Sequence, residues 1–113
     1  MQKLGYHCIV KPLEFLGTTR QDLRACPLEV RREAGFELNA VQVGDVPSDW
    51  KPMPTIGSGA MEIRIHADGE WRVFYVAKFH GVVYVLHVFH KKTQKTPLGA
   101  IELARKRYQE IAK

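Results

Sequence analysis

Between residues 60 and 89 the apolar pattern has a period of two, and this restricts the fold more than any other feature of the chain. Met61, Ile63 and Ile65 alternate with Glu62, Arg64 and His66, so Ala60 to His66 reads as a half-buried strand. Ala67-Asp68-Gly69 reads as a turn, because an Asp-Gly pair accepts the positive φ angles of a tight hairpin. Trp71 to Lys78 is the second strand, with Arg72 and Phe74 alternating against Trp71, Val73 and Tyr75. Phe79-His80-Gly81 makes another turn. Val82 to Phe89 is apolar almost throughout, as expected of a central strand covered on both faces.

Helices account for most of the rest. Thr18 or Thr19 can cap a short helix through Arg24, and Pro27 suits the first position of a longer one ending near Val43, with Gly44 as its stop. Leu28, Val30, Ala34, Phe36, Leu38 and Val41 supply its apolar face, while Glu29, Arg31, Arg32, Glu33 and Glu37 are assigned to water. Residues 45–59 hold Pro47, Pro52, Pro54, Gly57 and Gly59 and read as a loop, packed onto the body through Trp50, Met53 and Ile56. Lys91 to Thr96 is a basic loop. Thr96 caps and Pro97 opens a last helix, in which Leu98, Ile101, Ala104 or Arg105, Tyr108 and Ile111 recur at helical spacing. His7 to Lys11 reads as a short first strand closed by Pro12. The expectation is an α+β fold: an N-terminal strand and two helices packed on one side of a curved antiparallel sheet, with a C-terminal helix. At 113 residues it is expected to be one domain, 1–113.

Charge and cysteine content narrow the function. The net charge is +5, and residues 78–113 carry eight basic against two acidic side chains, so that third of the chain is expected to face a polyanion such as RNA. No apolar run of about 18 residues is present, so no membrane span is expected. The first ten residues lack the apolar block of a secretory signal, which predicts a cytoplasmic protein. Cys8 and Cys26 form neither a disulfide framework nor a zinc spacing and read as reduced thiols. His66, His80, His87 and His90 have poor metal-ligand spacing, and neither a metal nor any other cofactor is expected. No phosphate-cradling glycine loop is present, because Gly57 and Gly59 precede a strand.

On the polar side of the hairpin, Glu62 and Arg64 share a face and lie roughly opposite Arg72 to Phe74. The next strand brings His90, Lys91 and Lys92 to its end. Together these groups can form one concave face on which arginine forks hold phosphates, or simply a solvated face with cross-strand Glu–Arg pairs. His90, beside two lysines, is the better histidine for acid–base work; His87 is expected to pack against apolar neighbours. Tyr75 and Tyr108 can stack or donate, with Tyr108 assigned to the core.

These residues carry a family likeness. Lys51-Pro52-Met53, Gly57-Ser58-Gly59, Met61-Glu62-Ile63-Arg64, Trp71-Arg72-Val73-Phe74-Tyr75-Val76 and the stretch from Val83 to Pro97, with its Phe89-His90-Lys91-Lys92 and Lys95-Thr96-Pro97, resemble the RelE/HigB toxin superfamily in its phage-derived branch of HigB-like toxins. Glu29 to Gly35 resembles the second helix of that branch. The resemblance implies the toxin of a type II toxin–antitoxin pair. Such a toxin is an mRNA interferase that cleaves translated mRNA at the ribosomal A site without metal. It also implies a small helix-turn-helix antitoxin as partner, with operator DNA reached only through that antitoxin. In such cleavage the ribose 2′-OH attacks the adjacent phosphorus. The resemblance then assigns Arg72 to phosphate stabilisation, Arg64 to RNA positioning, and Lys91, Lys92 and Lys95 to the RNA backbone, with Lys91 assisting the leaving oxygen. Relatives in that branch usually carry Gln where His90 stands; Glu62 is expected as the base and His90 as the acid. The alternatives are a catalytically inactive RNA- or protein-binding module of the same fold, and an interaction subunit whose basic end docks an acidic helix.

Overall fold

The Asp68-Gly69 pair turns the chain as its sequence demands: φ is 50° at Asp68 and 104° at Gly69, and the Trp71 indole donates to the Asp68 carbonyl at 3.0 Å. On either side run β3 (Ala60–His66) and β4 (Glu70–Val76), paired antiparallel from Ala60 opposite Val76 to His66 opposite Glu70. β5 (Val83–His90) pairs antiparallel with the other side of β4. The computed structural model describes residues 10–111. It adds two short outer strands, β1 (Leu13–Phe15) parallel to β5 and β2 (Trp50–Pro52) antiparallel to β3. The five-stranded sheet has the order β1-β5-β4-β3-β2 and is therefore mixed.

Helices α1 (Thr19–Arg24) and α2 (Leu28–Gln42) precede the hairpin, and α3 (Leu98–Ile111) follows it. The helices do not share one side of the sheet. Val30, Ala34, Leu38 and Val41 of α2 pack on Ile63, Ile65, Val73, Tyr75 and Val85. Ala100 and Ala104 of α3 pack on Phe74, Val76 and Leu86, the alternate residues of the same strands. Each strand thus contributes to two cores, and the charged face of the hairpin lies beyond the end of the α3 core.

A β-bulge sets where that face ends. Phe74 pairs with His87 but Tyr75 with Val85, so Leu86 is the extra residue in β5. Past it the alternation is reversed: Val88 joins the α2 core with Val83 and Val85, and the Phe89 ring meets Phe74 edge-on at 5.3 Å.

Several sequence expectations are corrected. The first strand begins after Pro12, not at residues 7–11; there Lys11 exchanges hydrogen bonds with Gln42, and residues 7–9 of the expected strand, with Cys8, lie outside the described residues. Pro27 and Pro97 each stand one residue before a helix and accept its first hydrogen bonds. Thr18 sits at the α1 N-cap, but its hydroxyl donates to the Asp22 carboxylate. Leu28, Phe36 and Leu98 are exposed, and so is Trp50, which was expected to pack onto the body, whereas Met53 and Ile56 are buried as expected. Glu37 is buried because its Oε1 accepts the Ser48 N–H at 3.0 Å from the following loop. β4 ends at Val76, two residues early. Among the described residues no helix is long and apolar enough to cross a membrane.

Candidate functional site

The strand register brings Glu62 opposite Phe74 and Arg64 opposite Arg72, as the sequence predicts. Glu62, Arg64 and Arg72, with His66, line the floor and wall of a cavity of about 720 Å³. The segment around β2 closes one side through Asp49 and Lys51. The loop after β5 closes the other through Lys91, Gln94, Lys95 and Thr96, and Ile101 contributes from α3. Lys91 is well fixed: its backbone N–H donates to the Glu70 backbone carbonyl at 2.7 Å and its Nζ to the Gln94 carbonyl at 2.6 Å.

At the centre is a buried carboxylate. Glu62 is 1 % exposed, and its Oε1 accepts from Arg64 Nε at 3.2 Å. Its Oε2 lies 3.9 Å from Arg72 Nε and has no hydrogen-bond partner among the described residues. Arg72 is itself buried and donates through Nη1 to Glu70 Oε1 at 3.0 Å and to the Trp71 carbonyl at 2.9 Å. A buried charge needs a partner, and each of these groups has one of opposite sign. Arg64 is more open, with Asp49 3.6 Å from its Nη1.

His66 occupies the outer end of this face. Its Nε2 lies 2.7 Å from Asp49 Oδ2 and its Nδ1 2.8 Å from Glu70 Oε2. The hydrogen bond to Asp49 first, and then that to Glu70, raise its pKa above the ordinary histidine value. The same contact with His66, followed by that with Arg72, holds the Glu70 carboxyl below the usual range.

Of the site residues expected from sequence, Glu62, Arg64, Arg72, Lys91 and Lys95 line one cavity, and Lys92 and His90 do not. His90 is the instructive displacement. The bulge at Leu86 turns it to the α2 side of the sheet, where it stacks on Trp71 with ring centroids 4.3 Å apart and planes 9° from parallel. A one-residue slip in register moves a strand's side chains to the opposite face. His87 packs as expected: its ring stacks on Phe89 at 4.9 Å and its buried Nδ1 has no hydrogen-bond partner among the described residues; burial and then Arg107 lower its pKa. Tyr75 lies in the α2 core, its phenol pushed up to about 12 by burial. Tyr108 is half-buried; its ring meets Phe79 edge-on and its hydroxyl donates to the Ser58 carbonyl at 2.7 Å. Cys26 is a buried free thiol raised by desolvation first and Asp22 second. Among the described residues no three His, Cys, Asp or Glu side chains are arranged to hold a metal ion.

The sequence reading missed Asp49, Lys51, Gln94 and Thr96, and gave His66 only a metal-ligand reading. His66 shares the alternation of Glu62 and Arg64 and was accessible in that way. Asp49 comes from a different segment and carried no local signal. What the cavity offers chemically is a set of guanidinium and ammonium donors for phosphate oxygens around one buried carboxylate, whose Oε2 has no hydrogen-bond partner among the described residues.

No curated protein matches the chain. A family model described as "Phage derived protein Gp49-like (DUF891)" matches residues 21–109. That span takes in α2, all of β2 to β5 and every residue that lines the cavity. The chain therefore belongs to the Gp49-like family of phage-derived proteins.

Proposed function

We propose that this chain is the toxin of a type II toxin–antitoxin pair and acts as a metal-independent, ribosome-dependent mRNA endoribonuclease. The Gp49-like family is a toxin-like family of toxin–antitoxin systems, and the likeness to RelE/HigB toxins supplies the finer reading. The observation that carries it is the buried Glu62 between Arg64 and Arg72, on the floor of a cavity to which Lys51, Lys91 and Lys95 also contribute.

The chemistry follows from those groups. The ribose 2′-oxygen attacks phosphorus as its proton passes to Glu62 Oε2, and the bond from phosphorus to the 5′-oxygen breaks. A 2′,3′-cyclic phosphate and a 5′-hydroxyl result. Arg72 holds the phosphoryl oxygens, whose charge grows in the transition state, and preorganised donors there are worth most. Arg64 positions the RNA. Lys91, expected from the resemblance to assist the leaving oxygen, supplies the proton to the 5′-oxygen in place of His90. Lys95 binds the backbone. A cognate antitoxin of the helix-turn-helix kind neutralises the toxin and carries any contact with operator DNA.

The test is mapping of mRNA 5′ ends in cells after brief induction of the wild type, Arg72→Ala and Arg72→Lys. The expected result is new ends clustered within codons for the wild type alone. The lysine variant is needed because Arg72→Ala strips a partner from a buried carboxylate, a loss of about 3–5 kcal/mol in stability. If the folded wild type makes no new ends when antitoxin is absent, the chain is instead an inactive binding module.

A further inference from the structure

Six side chains at this site close into a ring of alternating charge. Asp49 contacts Arg64 (3.6 Å), Arg64 contacts Glu62 (3.2 Å), and Glu62 contacts Arg72 (3.9 Å). Arg72 contacts Glu70 (3.0 Å), Glu70 contacts His66 (2.8 Å), and His66 returns to Asp49 (2.7 Å). Glu62 is buried at the inner side of this ring, whereas Asp49, Glu70 and His66 are open to solvent at its outer side. The two arginines are those to which the proposed reaction gives the RNA phosphates. Without RNA, Asp49 and Glu70 are therefore the competing anions on those guanidiniums. Both carboxylates make their shorter contact with His66.

We propose that His66 is a positioning residue for the reaction proposed above: by holding Asp49 and Glu70 it keeps the Arg64 and Arg72 guanidiniums available to RNA phosphates. The inference rests on that reading of the cavity. An imidazolium has two N–H donors, one for each carboxylate. A neutral imidazole has one, so its other nitrogen presents a lone pair to a carboxylate oxygen. That carboxylate then turns to its arginine, and the ring changes from balanced to one net negative charge. The hydrogen bonds to Asp49 and Glu70 favour the imidazolium. The remaining charges around the cavity, Lys51 from β2 and Lys91 and Lys95 from the loop after β5, favour the neutral form but make no contact with His66 within hydrogen-bond range.

The test is cleavage of mRNA on programmed ribosomes at varied toxin concentration, between about pH 6 and 9. It compares the wild type, His66→Ala, His66→Lys and the triple variant Asp49→Asn/His66→Ala/Glu70→Gln. His66→Ala is expected to raise the half-saturating concentration about five- to tenfold, with the maximal rate unchanged, as two exposed ion pairs shift. The wild type should need more toxin as pH rises. His66→Lys, which keeps a cation between the carboxylates, should remove that pH dependence and retain tight binding. The triple variant should recover to within about twofold of the wild type, because the competing anions are gone. A fall in maximal rate with unchanged half-saturation in His66→Ala overturns the inference by placing His66 in the chemistry. So does a triple variant as weak as His66→Ala, or no effect of His66→Ala at all. A folded wild type that leaves the mRNA uncut defeats the proposed function itself and this inference with it, a result separable from the others because they all require wild-type cleavage.

Discussion

The two faces of the β3–β4 hairpin use alternate residues of the same strands for opposite purposes. On one, Ile63, Ile65, Val73 and Tyr75 vanish beneath α2 in a purely apolar contact. On the other, Glu62, Arg64, His66 and Arg72 form a charged floor, and Glu62 is as thoroughly buried as Ile65. Apolar burial stabilises in proportion to area and needs no particular partner. A buried ion pair gains little net stability, because desolvation offsets the attraction, but removing one member leaves an uncompensated charge. The first face should therefore govern whether the chain folds, and the second, so long as its charges stay paired, what it does once folded.

The largest effect should come from breaking the apolar face. Ile63→Ala is expected to destabilise the protein by about 2–5 kcal/mol, read from the urea midpoint, while activity per folded molecule stays at the wild-type level. An unaltered midpoint would mean that the α2 core does not depend on this strand. Next comes the charged face. Arg72→Lys keeps the charge beside Glu62 but loses the planar fork, so activity should fall about 10²- to 10³-fold with little change in melting temperature. If melting fell and activity did not, the assignment of the two faces would be reversed.

Gly57→Ala probes how tightly the α3 side is packed, since an added Cβ would lie 2.5 Å from the Tyr108 ring. Overpacking of this kind should cost about 1–3 kcal/mol, and Tyr108→Ala in the same chain should relieve it; a neutral Gly57→Ala would show that the ring moves freely. The smallest effect separates two histidines by NMR titration. His66 should titrate above the ordinary histidine value and His87 below it. The sign for stability follows. The contribution of His66 is present below its unfolded-state pKa and lost as pH rises through its folded value. That of Glu70 is present above its unfolded-state pKa and lost as pH falls through its lowered folded value. The ring is complete between those limits. Coincident midpoints for the two histidines would contradict the geometry at both.

What the sequence disclosed follows the same division. Period-two alternation with Asp68-Gly69 fixed the hairpin, its register and the meeting of Glu62, Arg64 and Arg72, because these depend on local pattern. β1 and β2 were lost because each is three residues long and defined by a distant partner: Leu13 by Val83, Trp50 by Ile63. Pro12 and Pro52 made both segments look like breaks. His90 was misplaced because it was set beside the charged face from its place at the end of the strand, and an apolar run such as Val82 to Phe89 does not announce the bulge that turns it away. Glu37 looked solvent-facing because its partner, the Ser48 N–H, belongs to a loop.

The short outer strands and the bulge also bear on what this chain can join. Exposed strand edges invite other chains to add on, and proteins blunt them with brevity, proline, lysine and bulges. Here β2 is the stub Trp50-Lys51-Pro52. On the opposite side, where β1 stops covering β5, the bulge breaks the ladder and Arg107 Nη1 occupies the Leu86 carbonyl at 2.8 Å. Both margins are short or interrupted, which disfavours strand addition and self-aggregation by that route and favours binding through side chains on a face of the sheet or a helix.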